Sequence, residues 1–189
     1  MRIADAQWIP STPHQTWDAL MDPAVLQKCL PGCVHIERRS PTEYALCLQS
    51  QVGGVESRYE GEVLLSELNP PHSCSLAFEG KSETASLAIG TAQIQLADKD
   101  DGTRLAYTVA AMAGGSLAKV GEPLLLKAGN KVVSQFFAAF IDHMAKLPRT
   151  APPPAPAGPP ERGLAASRWS WAVVIAVVVA LVGYHAFFK

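Results

Sequence analysis

The sequence predicts an α+β domain in which a curled seven-stranded antiparallel sheet wraps around one long C-terminal helix, with a transmembrane helix on a tether behind it. Three observations carry this. Between Val34 and Met112, short runs of alternating apolar character are broken by turn residues. From Gly114 to Leu147 the apolar period becomes helical, and the last forty or so residues turn first proline-rich and then wholly apolar. The expected organisation is a folded domain over 1–147, a linker over 148–168 and a membrane span over 169–188.

The first ten residues read as a strand. Ser11-Thr12-Pro13 supplies a capping hydroxyl and a proline tolerated in a first turn, so a short helix follows with Trp17, Leu20 and Met21 on one face. Asp22-Pro23 starts a second short helix carrying Val25 and Leu26, which Pro31-Gly32 stops. Six further strands are expected at about 34–39, 43–52, 55–66, 73–80, 84–97 and 103–112. Turns are expected at Ser40-Pro41, Gly53-Gly54, Asn69-Pro70-Pro71, Gly80-Lys81-Ser82 and Asp100-Asp101-Gly102.

The stretch from Gly114 to Leu147 reads as one amphipathic helix. Val132, Phe136, Phe140, Met144 and Leu147 form its apolar stripe, and Val133, Phe137 and Ile141 widen it. Lys127, Lys131, Gln135, Asp142 and Lys146 line the opposite side. So wide a stripe suits a concave surface, which a twisted antiparallel sheet provides. This is the helix-grip arrangement, and a single helix over a curled sheet readily leaves a cavity. Pro123 falls inside the expected helix, where it predicts a kink or a late start.

Residues 148–163 are dominated by Pro, Ala and Gly and cannot bury a core, so they read as an extended tether. Trp169 to Phe188 carries no formal charge, and twenty helical residues span about 30 Å, the thickness of a bilayer's hydrocarbon. Trp169 and Trp171 at one end, with Tyr184, Phe187 and Phe188 at the other, suit aromatic belts. Arg149, Arg162 and Arg168 precede the span and only Lys189 follows, which places the folded domain on the cytoplasmic side of an inner membrane. The N-terminus lacks the layout of a secretory signal, consistent with reduced thiols for the four cysteines. A net charge of -1 without a basic cluster argues against nucleic acid.

Candidate chemistry is sparse. Cys29, Cys33 and His35 form a C-x3-C-x-H cluster, but Pro31-Gly32 makes a turn between the thiols, and packing of that turn is the simpler reading than a metal site. Glu56, Glu60 and Glu62 share one strand face opposite Tyr59, Val63 and Leu65 and are expected in solvent. His143 borders the long helix's apolar face, and no nucleophile stands in a base-paired motif. Gly53-Gly54 and Gly114-Gly115 lack the lysine and spacing of a phosphate loop. No catalytic, metal or covalently held group is expected.

Trp17-Asp18-Ala19-Leu20, Asp22-Pro23, Cys29-Leu30-Pro31-Gly32-Cys33, Tyr59-Glu60-Gly61, Gly114-Gly115-Ser116-Leu117-Ala118-Lys119-Val120-Gly121 and Phe136-Phe137 together resemble the carbon monoxide dehydrogenase G-subunit (CoxG) family. The family is similar to START-like and pollen-allergen-like ligand carriers of the helix-grip superfamily, and the resemblance spans residues 1–147. It implies recruitment of a molybdenum- and flavin-containing carbon monoxide dehydrogenase, or a related hydroxylase, to the membrane. It further implies an apolar cavity for a lipophilic quinone, menaquinone or ubiquinone, linking that enzyme to the respiratory chain by electron transfer.

The expected cavity lining is Tyr44, Leu48, Tyr59, Phe78, Leu87, Tyr107 and Met112 from the sheet, and Leu117, Val120, Leu124, Phe136, Phe137 and Phe140 from the helix. Of these, Tyr59, Phe78, Tyr107, Leu117, Val120, Leu124, Phe136 and Phe140 are the expected ligand contacts. Aromatic rings suit a flat quinone by stacking, and tyrosine hydroxyls suit its carbonyls. Two other readings are a small enzyme of the same fold, such as a cyclase or hydrolase, which requires an ionisable pair facing the cavity, and a membrane scaffold whose core is filled.

Overall fold

The computed structural model describes residues 1–52, 55–83 and 86–148; the tether and the membrane span expected beyond them lie outside the described residues. The chain runs β1 (Arg2–Ile9), α1 (Pro13–Met21), α2 (Pro23–Cys29), β2 (Cys33–Ser40), β3 (Glu43–Val52), β4 (Val55–Asn69), β5 (Ser73–Ser82), β6 (Ser86–Lys99), β7 (Gly102–Gly115), a 3-10 turn (Leu117–Val120) and α3 (Glu122–Ala145). The seven strands form one sheet in the order β1-β7-β6-β5-β4-β3-β2, antiparallel throughout.

Local chemistry accounts for the corners. At the entry to α1, Thr12 and Gln15 form a reciprocal capping box, and Pro13 occupies the first turn, where its missing N–H costs nothing. Thr103 donates to the Ser11 carbonyl at 2.7 Å, and the Ser11 and Thr16 hydroxyls meet at 2.8 Å, so this buried junction ties β1, α1 and β7 together. Asp22 closes α1 and caps α2 by accepting from the Ala24 N–H at 2.8 Å. Gly32 has φ +74°, and a Cβ there would lie 2.1 Å from the Gln49 carbonyl oxygen, so the turn between Cys29 and Cys33 is pressed onto β3 and admits only glycine.

Two boundaries differ from the sequence reading. Gly80-Lys81-Ser82 is strand, not turn: these residues pair with Gly61, Glu60 and Tyr59, because continued ladder bonding outweighs the weak local turn signal. Gly114-Gly115 likewise ends β7 and does not open the helix. The chain leaves the sheet at Gly115 (φ +62°), makes the 3-10 turn, and swings through Gly121 (φ +90°) into α3. Pro123 therefore sits in the first turn of a helix that starts at Glu122 and runs unbroken to Ala145, which is the late start and not the kink.

The core lies under the C-terminal half of α3. Phe137, Phe140 and Met144 pack against Ile9, Leu96, Leu105, Tyr107 and Cys74 of the sheet and Trp17 and Leu20 of α1. Phe140 and Ile9 are wholly buried. The Tyr107 ring stacks on Phe137 at 4.8 Å, and Phe136 stacks on Phe140 at 5.6 Å. Tyr44 donates its hydroxyl to the Met21 carbonyl at 2.9 Å, fixing β3 to the end of α1. The buried line of α3 follows Val133, Phe137, Phe140 and Met144; Val132 and Leu147, expected in the stripe, are exposed.

Candidate functional site

The period-two alternation of the strands and the hairpin registers decide which residues share the face beneath α3. One row across five strands reads Leu46, Gly61, Gly80, Ala88 and Ala113, each paired with the next. At this level four consecutive strands present only glycine or alanine on the concave face. At about 4.8 Å between strands this makes a flat floor roughly 14 Å wide. A Cβ added at Gly80 would meet nothing nearer than the Tyr59 Cβ at 3.9 Å, so the space above Gly80 is open. Gly61 differs, because a Cβ there would lie 2.4 Å from the Glu79 carbonyl oxygen in the neighbouring strand.

The rows on either side give the floor its edges. Toward the core run Tyr44, Val63, Phe78, Gly90 and Ala111, and the Phe78 ring lies over Gly90, 2.5 Å from where a Cβ would stand. At the far edge are Leu48, Tyr59, Ser82 and Ser86. Ser86 is buried; its hydroxyl meets that of Ser116 at 2.6 Å, and its N–H donates to the Ser82 hydroxyl at 3.1 Å. The floor is therefore apolar on its core side and hydroxyl-lined at its outer edge. In the N-terminal half of α3 the buried line is not fully covered: Leu126 lies on the same helical line as Val133 and Phe137 yet is 36% exposed.

The structure divides the expected ligand contacts. Tyr59 and Phe78 stand on the concave face beside the floor, both half-buried, and Leu117 is half-buried in the 3-10 turn directly after Ser116. Leu124 is 43% exposed in the first turn of α3. Val120 ends the 3-10 turn, and its side chain lies outside the described residues. Tyr107, Phe136 and Phe140, with Phe137, belong to the packed aromatic core. Leu87 and Met112 are corrected outright: they point to the opposite face, Met112 being 67% exposed, because the in-facing residues of β6 and β7 are those in phase with Ile94, Leu96, Leu105 and Tyr107. The residues sequence reasoning missed are Gly61, Gly80, Ala88, Ala113 and the serines 82, 86 and 116. Only the register across successive hairpins brings them together.

Burial pushes the thiols of Cys29, Cys33 and Cys74 above the ordinary value, which keeps them protonated, and all four cysteines are free. Burial, and then the charge of Asp5, raises the Tyr107 phenol. Among the described residues no three His, Cys, Asp or Glu side chains converge as a metal site. Glu60 and Glu62 are exposed on the face away from α3, and the side chain of Glu56 lies outside the described residues. That outer face carries an open trough of about 1240 Å³ lined by Glu37, Arg39, Glu62, Glu79, Ile89 and Met112 among others. Ion pairs cross it, with Arg39 3.0 Å from Glu62 and Lys81 against Glu79. It is mostly a solvated, charged surface, although Leu46 and Gly61 of the floor row and Phe78, Gly90 and Ala111 beside it also reach it.

The fold is shared with several solved structures. A conserved protein from Geobacillus kaustophilus is 26% identical with a TM-score of 0.72, covering 77% of this chain and 96% of its own. A START superfamily protein from Mycobacterium smegmatis is 8% identical with a TM-score of 0.60, over 78% of this chain and 99% of its own. An uncharacterised protein from Rhizobium leguminosarum is 10% identical with a TM-score of 0.60, over 78% and 95%. No curated protein matches the chain in sequence. The family model for the carbon monoxide dehydrogenase G-subunit (CoxG) matches residues 7–144. With that match over most of its length and the START-like sheet and helix, the chain belongs to the CoxG family of carbon monoxide dehydrogenase G-subunits.

Proposed function

We propose that this protein is a non-enzymatic, membrane-anchored accessory protein that holds a lipophilic quinone on the small-residue floor and brings a molybdenum-containing carbon monoxide dehydrogenase, or a related hydroxylase, to the membrane. The observation that carries the ligand half is the floor of Gly61, Gly80, Ala88 and Ala113, with open space above Gly80 and Leu126 of α3 left partly exposed. A flat surface of that width suits a planar ring and an isoprenoid chain. Phe78 and Tyr59 offer aromatic faces beside it. When bound, a quinone supplies the two-electron redox chemistry; the chain's own residues shelter and orient it. From β3 to β7 the floor row and the row on each side carry no ionisable side chain other than tyrosine; in β2 the same rows add Ile36, Arg38 and Cys33, which together make no carboxylate or histidine pair, and this favours a carrier over an acid–base enzyme.

The membrane half rests on sequence. Of the described helices, α3 is long and apolar enough to cross a bilayer by length and composition, but Phe137, Phe140 and Met144 commit it to the core. The sequence puts the span at 169–188, with 148–168 as tether. Enzyme recruitment rests on the family. Mass spectrometry of lipids extracted from the purified full chain tests the carrier: a quinone in near-stoichiometric amount is expected, and its absence from protein prepared out of quinone-rich membranes refutes it. Deleting 148–189 tests the anchor. The dehydrogenase is expected to move to the soluble fraction, and one that stays on the membrane refutes recruitment.

A further inference from the structure

We propose that the first three turns of α3, with the 3-10 turn before them, form a second membrane contact that lies flat on an anionic bilayer surface. Leu124, Ala128 and Val132 are spaced four residues apart and form one line along the flank of the helix. Leu124 and Val132 are each 43% exposed. Lys127 and Lys131 form the adjacent line, and Lys119 projects from the 3-10 turn; all three are exposed, and none makes an ion pair among the described residues. From Gly115 to Phe140 the only carboxylate is Glu122, set against these three lysines. Exposed aliphatic side chains flanked by lysines without ion pairs are complementary to anionic headgroups over acyl chains.

The geometry of the chain permits it. This inference rests on the reading of 169–188 as the anchor. The tether of 148–168 reaches about 65 Å when extended, whereas α3 is about 36 Å long, so the chain can return from the C-terminal end of the helix to place its N-terminal end on the same membrane. So small an apolar surface binds weakly by itself; tethering supplies the effective concentration that makes the contact persistent.

The test uses the full chain with Leu124→p-benzoylphenylalanine, reconstituted with vesicles of phosphatidylglycerol and phosphatidylcholine, floated and irradiated. The expected result is a lipid adduct at least about tenfold above that of the same probe at the exposed Asp98, reduced about tenfold by Lys127→Glu with Lys131→Glu. A chain that floats but gives no lipid adduct at 124 above the Asp98 level, or gives a protein adduct instead, overturns this contact while leaving the anchor standing. An adduct indifferent to the charge reversal overturns the electrostatic recognition. A chain that fails to float overturns both the contact and the anchor.

Discussion

Gly80→Leu separates a ligand floor from an ordinary glycine in a sheet. The backbone of Gly80 is not in the left-handed region, and its added Cβ would meet only the Tyr59 Cβ at 3.9 Å, an ordinary contact. A leucine there enters open space. Half-burying its side chain is worth about 1 kcal/mol, and removing a glycine from a strand interior adds about 0.5–1 kcal/mol. The variant is therefore stabilised by about 1.5–2 kcal/mol, a rise in Tm of about 5 °C in a domain of this size. The same four carbons occupy the volume assigned to the ligand, so quinone retention falls at least about tenfold, the equivalent of roughly 1.4 kcal/mol. Calorimetry on the full chain reads the first effect and extraction with mass spectrometry the second. Gly61→Leu is the control: its Cβ would lie 2.4 Å from a carbonyl oxygen, so it loses about 1–3 kcal/mol of stability. If Gly80→Leu keeps its full quinone load, or is destabilised as Gly61→Leu is, the space above Gly80 is not the site.

Other consequences follow from the core and its ionisation. Phe140→Ala, at a wholly buried position between Phe136 and the sheet, costs about 3–5 kcal/mol by chemical denaturation, whereas Val132→Ala on the exposed flank stays within about 0.5 kcal/mol. Tyr44→Phe removes the bond to the Met21 carbonyl and costs about 0.5–1.5 kcal/mol, seen as a shifted urea midpoint with unchanged slope. Burial raises the Cys74 thiol above its ordinary 9.0, so between the unfolded and folded values the unfolded chain binds fewer protons. Its contribution is complete below pH 9.0 and is lost as the pH climbs through the folded value. Cys74→Val is expected to flatten the decline in stability seen on titration from pH 8 to about 10.5, and an unchanged slope contradicts the assignment.

The sheet and helix are legible in the sequence because alternation and helical period are one-dimensional signals. Tyr44, Leu46 and Leu48, and Tyr59, Val63 and Leu65, do face one side as their spacing says. The phase of the last two strands is not legible. In β6, Leu87 and Ile89 have the opposite parity to Ile94 and Leu96, and both sets are apolar, so only burial under α3 decides between them. Met112 fails for the same reason after Leu105, Tyr107 and Val109. The floor is hidden more deeply. Gly61, Gly80, Ala88 and Ala113 are 19, 8 and 25 residues apart in sequence, and it takes three successive registers to make them neighbours. Taken singly, Gly80 looks like a turn residue. Pro123 reads as a helix breaker until the chain is seen to leave β7 at Gly115 and begin α3 one residue before it.

The most direct measurement is residue-level mapping of a photoreactive quinone on the full chain. Tyr59, Gly80, Ser82 and Ala88 face the proposed ligand, while Glu60, Lys81 and Leu87, adjacent in sequence, face the other side of the same strands. A quinone held on the floor gives adducts on the first set, competed away by unmodified quinone. Adducts on the second set, or none that compete, contradict that placement.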